Sequence, residues 1–318
     1  MRYKLTLLLL FTIFKCFVSF SQNGKIIEKE RLILSDSIIT KIHKADSAMI
    51  KALKNIEFFR ITYLSDSLKV KGFIVKPVQK GSFPCIISNR GGTGEFGKWN
   101  ETGVGFFLGK LASWGYVVVA SQYRGNDGGE GQEERGGKDV NDVLSLVNTL
   151  GEIDNADTSR IGIEGASRGG MMTYLSLKKT CQFKAAVVLA GAANAFEHLV
   201  HRPDFEEHVY AKVIPNYYEN KEKELKARSA VFWADKMCKT TPMLIMQGSA
   251  DWRVPATESL ELLNKLYEYK HPVRYILFEG ADHRISEFRK EFFAQTKSFF
   301  DFYVKELNDL PNMELHGR

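Results

Sequence analysis

The chain has 318 residues, enough for one large α/β domain or two small ones, and is 44% hydrophobic and 26% charged, as soluble globular proteins are. Its net charge of +6 falls to +3 when Arg2, Lys4 and Lys15 are set aside with residues 1–21, and no basic stripe remains, so nucleic-acid binding has no electrostatic basis. The cysteines left after residue 21 (Cys85, Cys181 and Cys238) are too few for a disulfide-framework fold, although one pair could close in an oxidising compartment.

Arg2 and Lys4 precede an apolar run, Leu5 to Phe14, that is shorter than the about 20 residues a membrane span needs. Ser19 and Ser21 stand at −3 and −1 of Gln22, so residues 1–21 are expected to be a signal peptide. The expectation is an exported protein, periplasmic or extracellular, with no stable membrane span after cleavage. The alternatives are an uncleaved anchor or a lipoprotein site at Cys16, the latter disfavoured by Lys15.

Residues 22–56 read as a helical extension, with Ile38, Ile42, Met49 and Leu53 near helical spacing. FFRITYLSDSLKVKGFIVKP then alternates around a Ser-Asp-Ser turn, as a β-hairpin does. From Pro84 onward, short runs that are apolar on both faces recur: 85–88, 116–120, 160–164, 185–190, 243–246 and 275–278. Helical stretches at 137–150, 168–178, 256–269 and 286–306 separate them. This alternation predicts an α/β fold with one doubly wound, mostly parallel sheet over residues 57–308. Residues 192–235 interrupt it with aromatic and charged residues and read as a helical lid insertion, while 309–318 read as a loose tail.

Gly165-Ala166-Ser167-Arg168-Gly169 fits G-x-S-x-G, the turn that exposes a serine nucleophile between a strand and a helix. Arg160 to Glu164 supplies the strand, and Met171, Tyr174 and Leu175 begin an apolar helix face. A serine needs a base, and the base an orienting acid. Asp251 follows the 243–246 strand in QGSADWRVP, and His283 follows the 275–278 strand in EGADHRI. Both stand where open α/β sheets gather functional loops. Asp282 adjoins His283 and reads as the cap of the next helix; Asp235 reads as a surface residue.

An oxyanion hole needs two donors. The backbone N–H of Arg168 is one candidate, and Asn89, Arg90 or the N–H of Gly91 the other. Gly92 to Gly97 also fits G-x-G-x-x-G, but no strand-end acid follows at the required distance, so no nucleotide cofactor is expected. His198, His201 and His208 with Asp204, Glu206 and Glu207 match no zinc spacing and read as a solvated lid; no metal is expected. His43 and His271 read as lying on or beside polar helix faces.

With these residues placed, SNRGG, ASQYRGNDGGEGQEERGGKDVNDV, GASRGG, QGSADWRVP and EGADHRI together resemble the catalytic domain of the prolyl oligopeptidase family of serine peptidases. The resemblance covers about residues 57–308 and implies an α/β-hydrolase fold with Ser167 as nucleophile, Asp251 as acid and His283 as base. Larger members of that family carry a β-propeller, for which residues 22–56 are too short, and relatives often place a Tyr in the oxyanion loop where this chain has Asn89-Arg90-Gly91. Tyr123-Arg124-Gly125 reads as structural, with Arg124 pairing a buried carboxylate such as Asp142. The aromatics Phe196, Phe205, Tyr210, Tyr217, Tyr218 and Trp233 read equally as a pocket lining or as a seal for the lid. The expected activity is cofactor-free cleavage of small peptides through an acyl-enzyme. A short-acyl esterase is the alternative, and a non-catalytic binding protein would lack a member of the Ser-Asp-His set.

Overall fold

A computed structural model describes residues 22–317; the expected signal peptide lies outside the described residues. Nine strands form one open sheet: β1 (Ile26–Arg31), β2 (Ile56–Ser65), β3 (Leu68–Pro77), β4 (Phe83–Asn89), β5 (Val117–Ser121), β6 (Ala156–Ala166), β7 (Ala185–Leu189), β8 (Met243–Gly248) and β9 (Val273–Phe278). Their spatial order is β1-β2-β3-β5-β4-β6-β7-β8-β9. The β1–β2, β2–β3 and β3–β5 pairs are antiparallel, and every pair from β5 through β9 is parallel. This is the α/β-hydrolase fold.

The parallel strands are apolar throughout because helices cover both faces. Ile87, Val119, Ile163, Val188 and Ile245 face one side, packed under the helices Val140–Leu150, Arg168–Lys179 and Ala256–Glu268. Their neighbours Ile86, Val118, Val187 and Leu244 face the other, under the helices Asp36–Ala45 and Arg289–Phe300. Alternate side chains point to opposite faces, so one short run feeds two cores.

The β2–β3 hairpin turns on Asp66 and Ser67, both at positive φ, as a two-residue turn between twisted strands requires. The extension expected to be helical opens instead with β1, which pairs with β2 at the sheet edge. Its helix is two helices, Asp36–Ala45 and Ser47–Leu53, broken where the Asp46 carboxylate accepts the Met49 N–H at 3.2 Å. The insertion at 192–235 is helical, built of short pieces around a small core of Tyr210, Ile214, Tyr217 and Leu225. Cys181 and Cys238 form a disulfide with Cα atoms 5.3 Å apart, closing a loop that contains β7 and the whole insertion, while Cys85 is free and buried.

Candidate active site

β6 ends at Ala166 and the next helix begins at Arg168, so Ser167 makes the reversal with φ 58° and ψ −121°. Side chains other than glycine rarely occupy that region, and it persists only where the surroundings over-determine it. They do so here: Ser167 N–H donates to Leu189 O at 2.9 Å, and Ser167 O accepts from Gly170, Met171 and Ala192. The doubling-back leaves no room for side chains beneath it. A Cβ on Gly165 would stand 2.2 Å from Gly169 O, and one on Gly169 2.0 Å from Asn89 O.

Asp251 sits in the loop after β8, its side chain fully buried. Oδ1 accepts the N–H groups of Arg253 (2.8 Å) and Val254 (3.1 Å), and Oδ2 accepts Gln247 Nε2 at 3.2 Å. His283 Nδ1 lies 2.7 Å from the same Oδ2. A carboxylate only accepts, so Nδ1 carries a proton, and in the neutral ring Nε2 then keeps the lone pair a base needs. Asp282 does not cap the following helix as expected. Its carboxylate accepts the N–H of Arg284 at 2.8 Å, and Ile285, at positive φ, intervenes before the helix.

Ser167 and His283 line one cavity of about 650 Å³, shared with Gly91, Gly92, Arg168, His198 and Trp252. A larger groove of about 860 Å³ lies elsewhere, among Met49, Phe107, Trp114 and Phe293, and has no histidine or cysteine in its lining. Chemistry, not size, marks the first as the candidate site.

The oxyanion-loop candidates separate clearly. The Asn89 side chain is buried and donates to Thr173 Oγ1 at 3.0 Å. The Arg90 guanidinium is buried, donates to the carbonyls of Gln122, Gly91, Gly94 and Phe96, and is pushed down to about 10 by burial and the neighbouring Arg168 charge. Both side chains are thus committed to bracing the loop, which corrects the expectation that either reaches the cavity. Gly91 remains: a Cβ built on it would meet Ser167 Cβ at 3.5 Å.

Sequence reasoning assigned Arg168 only through its backbone. Its side chain is wholly buried, with Glu133 at 2.9 Å, Asp139 at 2.6 Å and the Gly92 carbonyl at 3.0 Å. It thereby ties the elbow to the glycine loop carrying Gly91. The signal was present, since an arginine at a buried helix start needs acids and the loop GGEGQEERGGKD holds them. Arg124 pairs with Asp142 at 2.7 Å as expected, Gly125 turns at positive φ, and Tyr123 donates to the Arg90 carbonyl at 3.0 Å.

Two histidines lie elsewhere than expected. His198 is buried, with Nδ1 3.1 Å from Glu258, where a solvated lid residue was predicted. His271, predicted beside a polar helix face, is buried against the Pro272 carbonyl. Asp235, His43, His201 and His208 are exposed. Among the described residues no group of three or more His, Cys, Asp or Glu could hold a metal ion. Trp252 stands 64% exposed beside Asp251 at the cavity lining, an apolar surface open to a ligand.

Residues 107–310 match the family model for the prolyl oligopeptidase family. The Bacillus subtilis protein YtmA, described as an uncharacterized peptidase, is 30% identical over 231 residues, covering 72% of this chain and 87% of that one. Dipeptidyl aminopeptidase BIII of Pseudoxanthomonas mexicana is 28% identical over 218 residues, 64% of this chain and 31% of that one. In structure, the acylaminoacyl peptidase of Pyrococcus horikoshii superposes with a TM-score of 0.69 at 26% identity, over 82% of this chain and 44% of that one. The chain therefore spans most of YtmA and less than half of the two larger peptidases.

Proposed function

This chain belongs to the prolyl oligopeptidase family, and on that premise we propose that it is a serine peptidase cleaving short peptides by acyl transfer through Ser167. The observation that carries the reading is the strained Ser167 facing the same cavity as His283, whose Nδ1 is held 2.7 Å from a buried carboxylate. His283 Nε2 takes the Ser167 hydroxyl proton as Oγ attacks the scissile carbonyl, and returns it to the leaving amine. Water, deprotonated by the same nitrogen, then releases the acyl group. Asp251 holds the ring and stabilises the imidazolium. The N–H groups of Arg168 and Gly91 receive the oxyanion, with Asn89 and Arg90 bracing the loop behind them.

Export is part of the proposal. The Cys181–Cys238 disulfide supports it, because such bonds persist mainly in oxidising compartments.

Labelling by a fluorophosphonate tests the nucleophile: the wild type is expected to label and Ser167→Ala not to, with hydrolysis falling at least about a thousandfold. Labelling that survives in Ser167→Ala would remove Ser167 from the reaction. Aminoacyl and peptidyl anilides compared with acetyl and longer acyl esters test the bond cleaved; hydrolysis of esters alone would make the protein an esterase.

A further inference from the structure

The cavity beside Ser167 holds two arginines that the protein itself leaves without a direct ion pair. Arg135 and Arg202 bring their guanidinium carbons to 4.9 and 4.6 Å from the centroid of the Phe205 ring, and the His198 ring centre lies 4.7 Å from it. All four residues line the cavity. Arg168 nearby has two carboxylates, whereas Arg135 and Arg202 enter no ion pair among the described residues. Asp204 is the one carboxylate in the lining, and it is exposed.

Burial makes the deficit costly. Arg135 is only 4% exposed and pushed down to about 10, chiefly by desolvation and further by the Arg168 charge, against the opposing pull of Tyr210 and Glu133. It donates to Thr93 Oγ1 at 2.5 Å, but its Nε is buried without an acceptor. His198, 2% exposed, is held through Nδ1 by Glu258, whose other oxygen accepts the N–H groups of Ala193 and Asn194. His198 Nε2 is therefore a second buried polar atom with no partner. Buried charges are normally paired and buried polar atoms satisfied, so groups left open around a reactive cavity point to a ligand that completes them.

We infer that this part of the cavity receives a carboxylate of the substrate, held by Arg135 and Arg202 beside His198, so that acidic peptides are preferred. The inference rests on the peptidase reading for its choice of carboxylate: guanidinium forks match that planar group, and it is the anion peptides carry. Two sources supply it, an acidic side chain on the acyl side of the scissile bond or the free C-terminus of the leaving group.

Kinetics separate them. For the acyl side, kcat/KM for a glutamyl anilide is compared with that for its glutaminyl counterpart; for the leaving side, a short peptide acid with its C-terminal amide. One arm is expected to favour the acid by roughly ten- to hundredfold, the worth of a charge-assisted contact. Arg202→Gln should bring that ratio close to one. Arg202 is only half-buried, so the variant should fold, which a thermal melt checks, and Arg135→Gln should act in the same direction. Calorimetry of glutarate against glutaramide on Ser167→Ala reads the pocket without turnover. Glutarate binding that vanishes in Ser167→Ala/Arg202→Gln supports the carboxylate site even if no peptide is cleaved, in which case the peptidase reading alone falls. Hydrolysis with no acid preference in either arm, or binding of inorganic phosphate but not glutarate, overturns the inference and leaves the peptidase reading standing.

Discussion

The elbow around Ser167 and the insertion at 192–235 border the same cavity and are built on opposite principles. In the elbow the backbone is the structure: Ser167 is placed by β6, by a helix that starts one residue later, and by glycines on which any Cβ would collide with main-chain atoms. In the insertion the backbone runs in short pieces, and side chains hold them. Phe205 meets Tyr210 edge-on at 5.3 Å, Tyr210 lies 6.1 Å from Tyr217, and two arginines flank Phe205. A site made of backbone fixes one atom closely and tolerates little change. A site made of side chains can be re-lined while the fold persists. On the proposed function, the reaction belongs to the first region and the choice of substrate to the second.

The sharpest way to break that contrast is Gly169→Ala. The new Cβ has nowhere to go with Asn89 O at 2.0 Å, so the expected cost is several kcal/mol, read as a lowered urea midpoint and lost fluorophosphonate labelling. Full labelling of a stable Gly169→Ala protein would mean that the elbow is not backbone-limited. Next in size is Asp251→Asn, which keeps the shape of the pair but favours the wrong His283 tautomer. A fall in kcat of about 10³–10⁴ with little change in KM is expected.

What was legible in the sequence follows the same division. The central strands were readable because strands buried on both faces are short apolar runs, and the elbow was readable because its glycines are local. β1 was missed because five of its six residues are exposed and it has no buried face to pattern. The helical segment 101–113 is hidden in the sequence because Gly103, Gly105 and Gly109 depress helix propensity. Two of those glycines admit a neighbour: a Cβ on Gly105 would meet Leu34 at 3.1 Å, and one on Gly109 would meet Met49 at 3.2 Å. The burial of His198 has no local sign in the sequence because its partner Glu258 lies 60 residues further along the chain. Pairings of that kind have no local signature, so the side-chain half of the site stayed hidden.

The disulfide sharpens the comparison at a smaller cost. It closes a separation of 57 residues at the base of the insertion, and chain entropy sets its contribution at up to about 4 kcal/mol. In Cys181→Ser/Cys238→Ser, new proteolytic cuts are expected within 192–235 before any within β4 to β6. Cuts that begin in the central strands would show that the insertion is no looser than the sheet.

A pH-dependent effect concerns the elbow's own strand. Glu164, three residues before Ser167, is buried, accepts a hydrogen bond from Ser88 Oγ, and is pushed up to about 8 by desolvation. In the unfolded chain the same carboxyl ionises near 4.5. Between those values the unfolded state has released a proton that the folded state still holds, so folding loses about 1.4 kcal/mol per pH unit as pH rises and levels off above about 8. Glu164→Gln keeps an oxygen for Ser88 and removes the titration. It should unfold at higher urea than the wild type at pH 7, match it near pH 4, and show a flatter stability profile between. Hydrogen exchange locates the effect: raising pH from 6 to 8.5 should loosen β6 and β4 in the wild type beyond the intrinsic acceleration of exchange, and not in Glu164→Gln. If the two proteins follow the same pH profile, Glu164 is already ionised in the fold, and the strand beneath Ser167 must then hold a buried negative charge matched by groups other than Ser88.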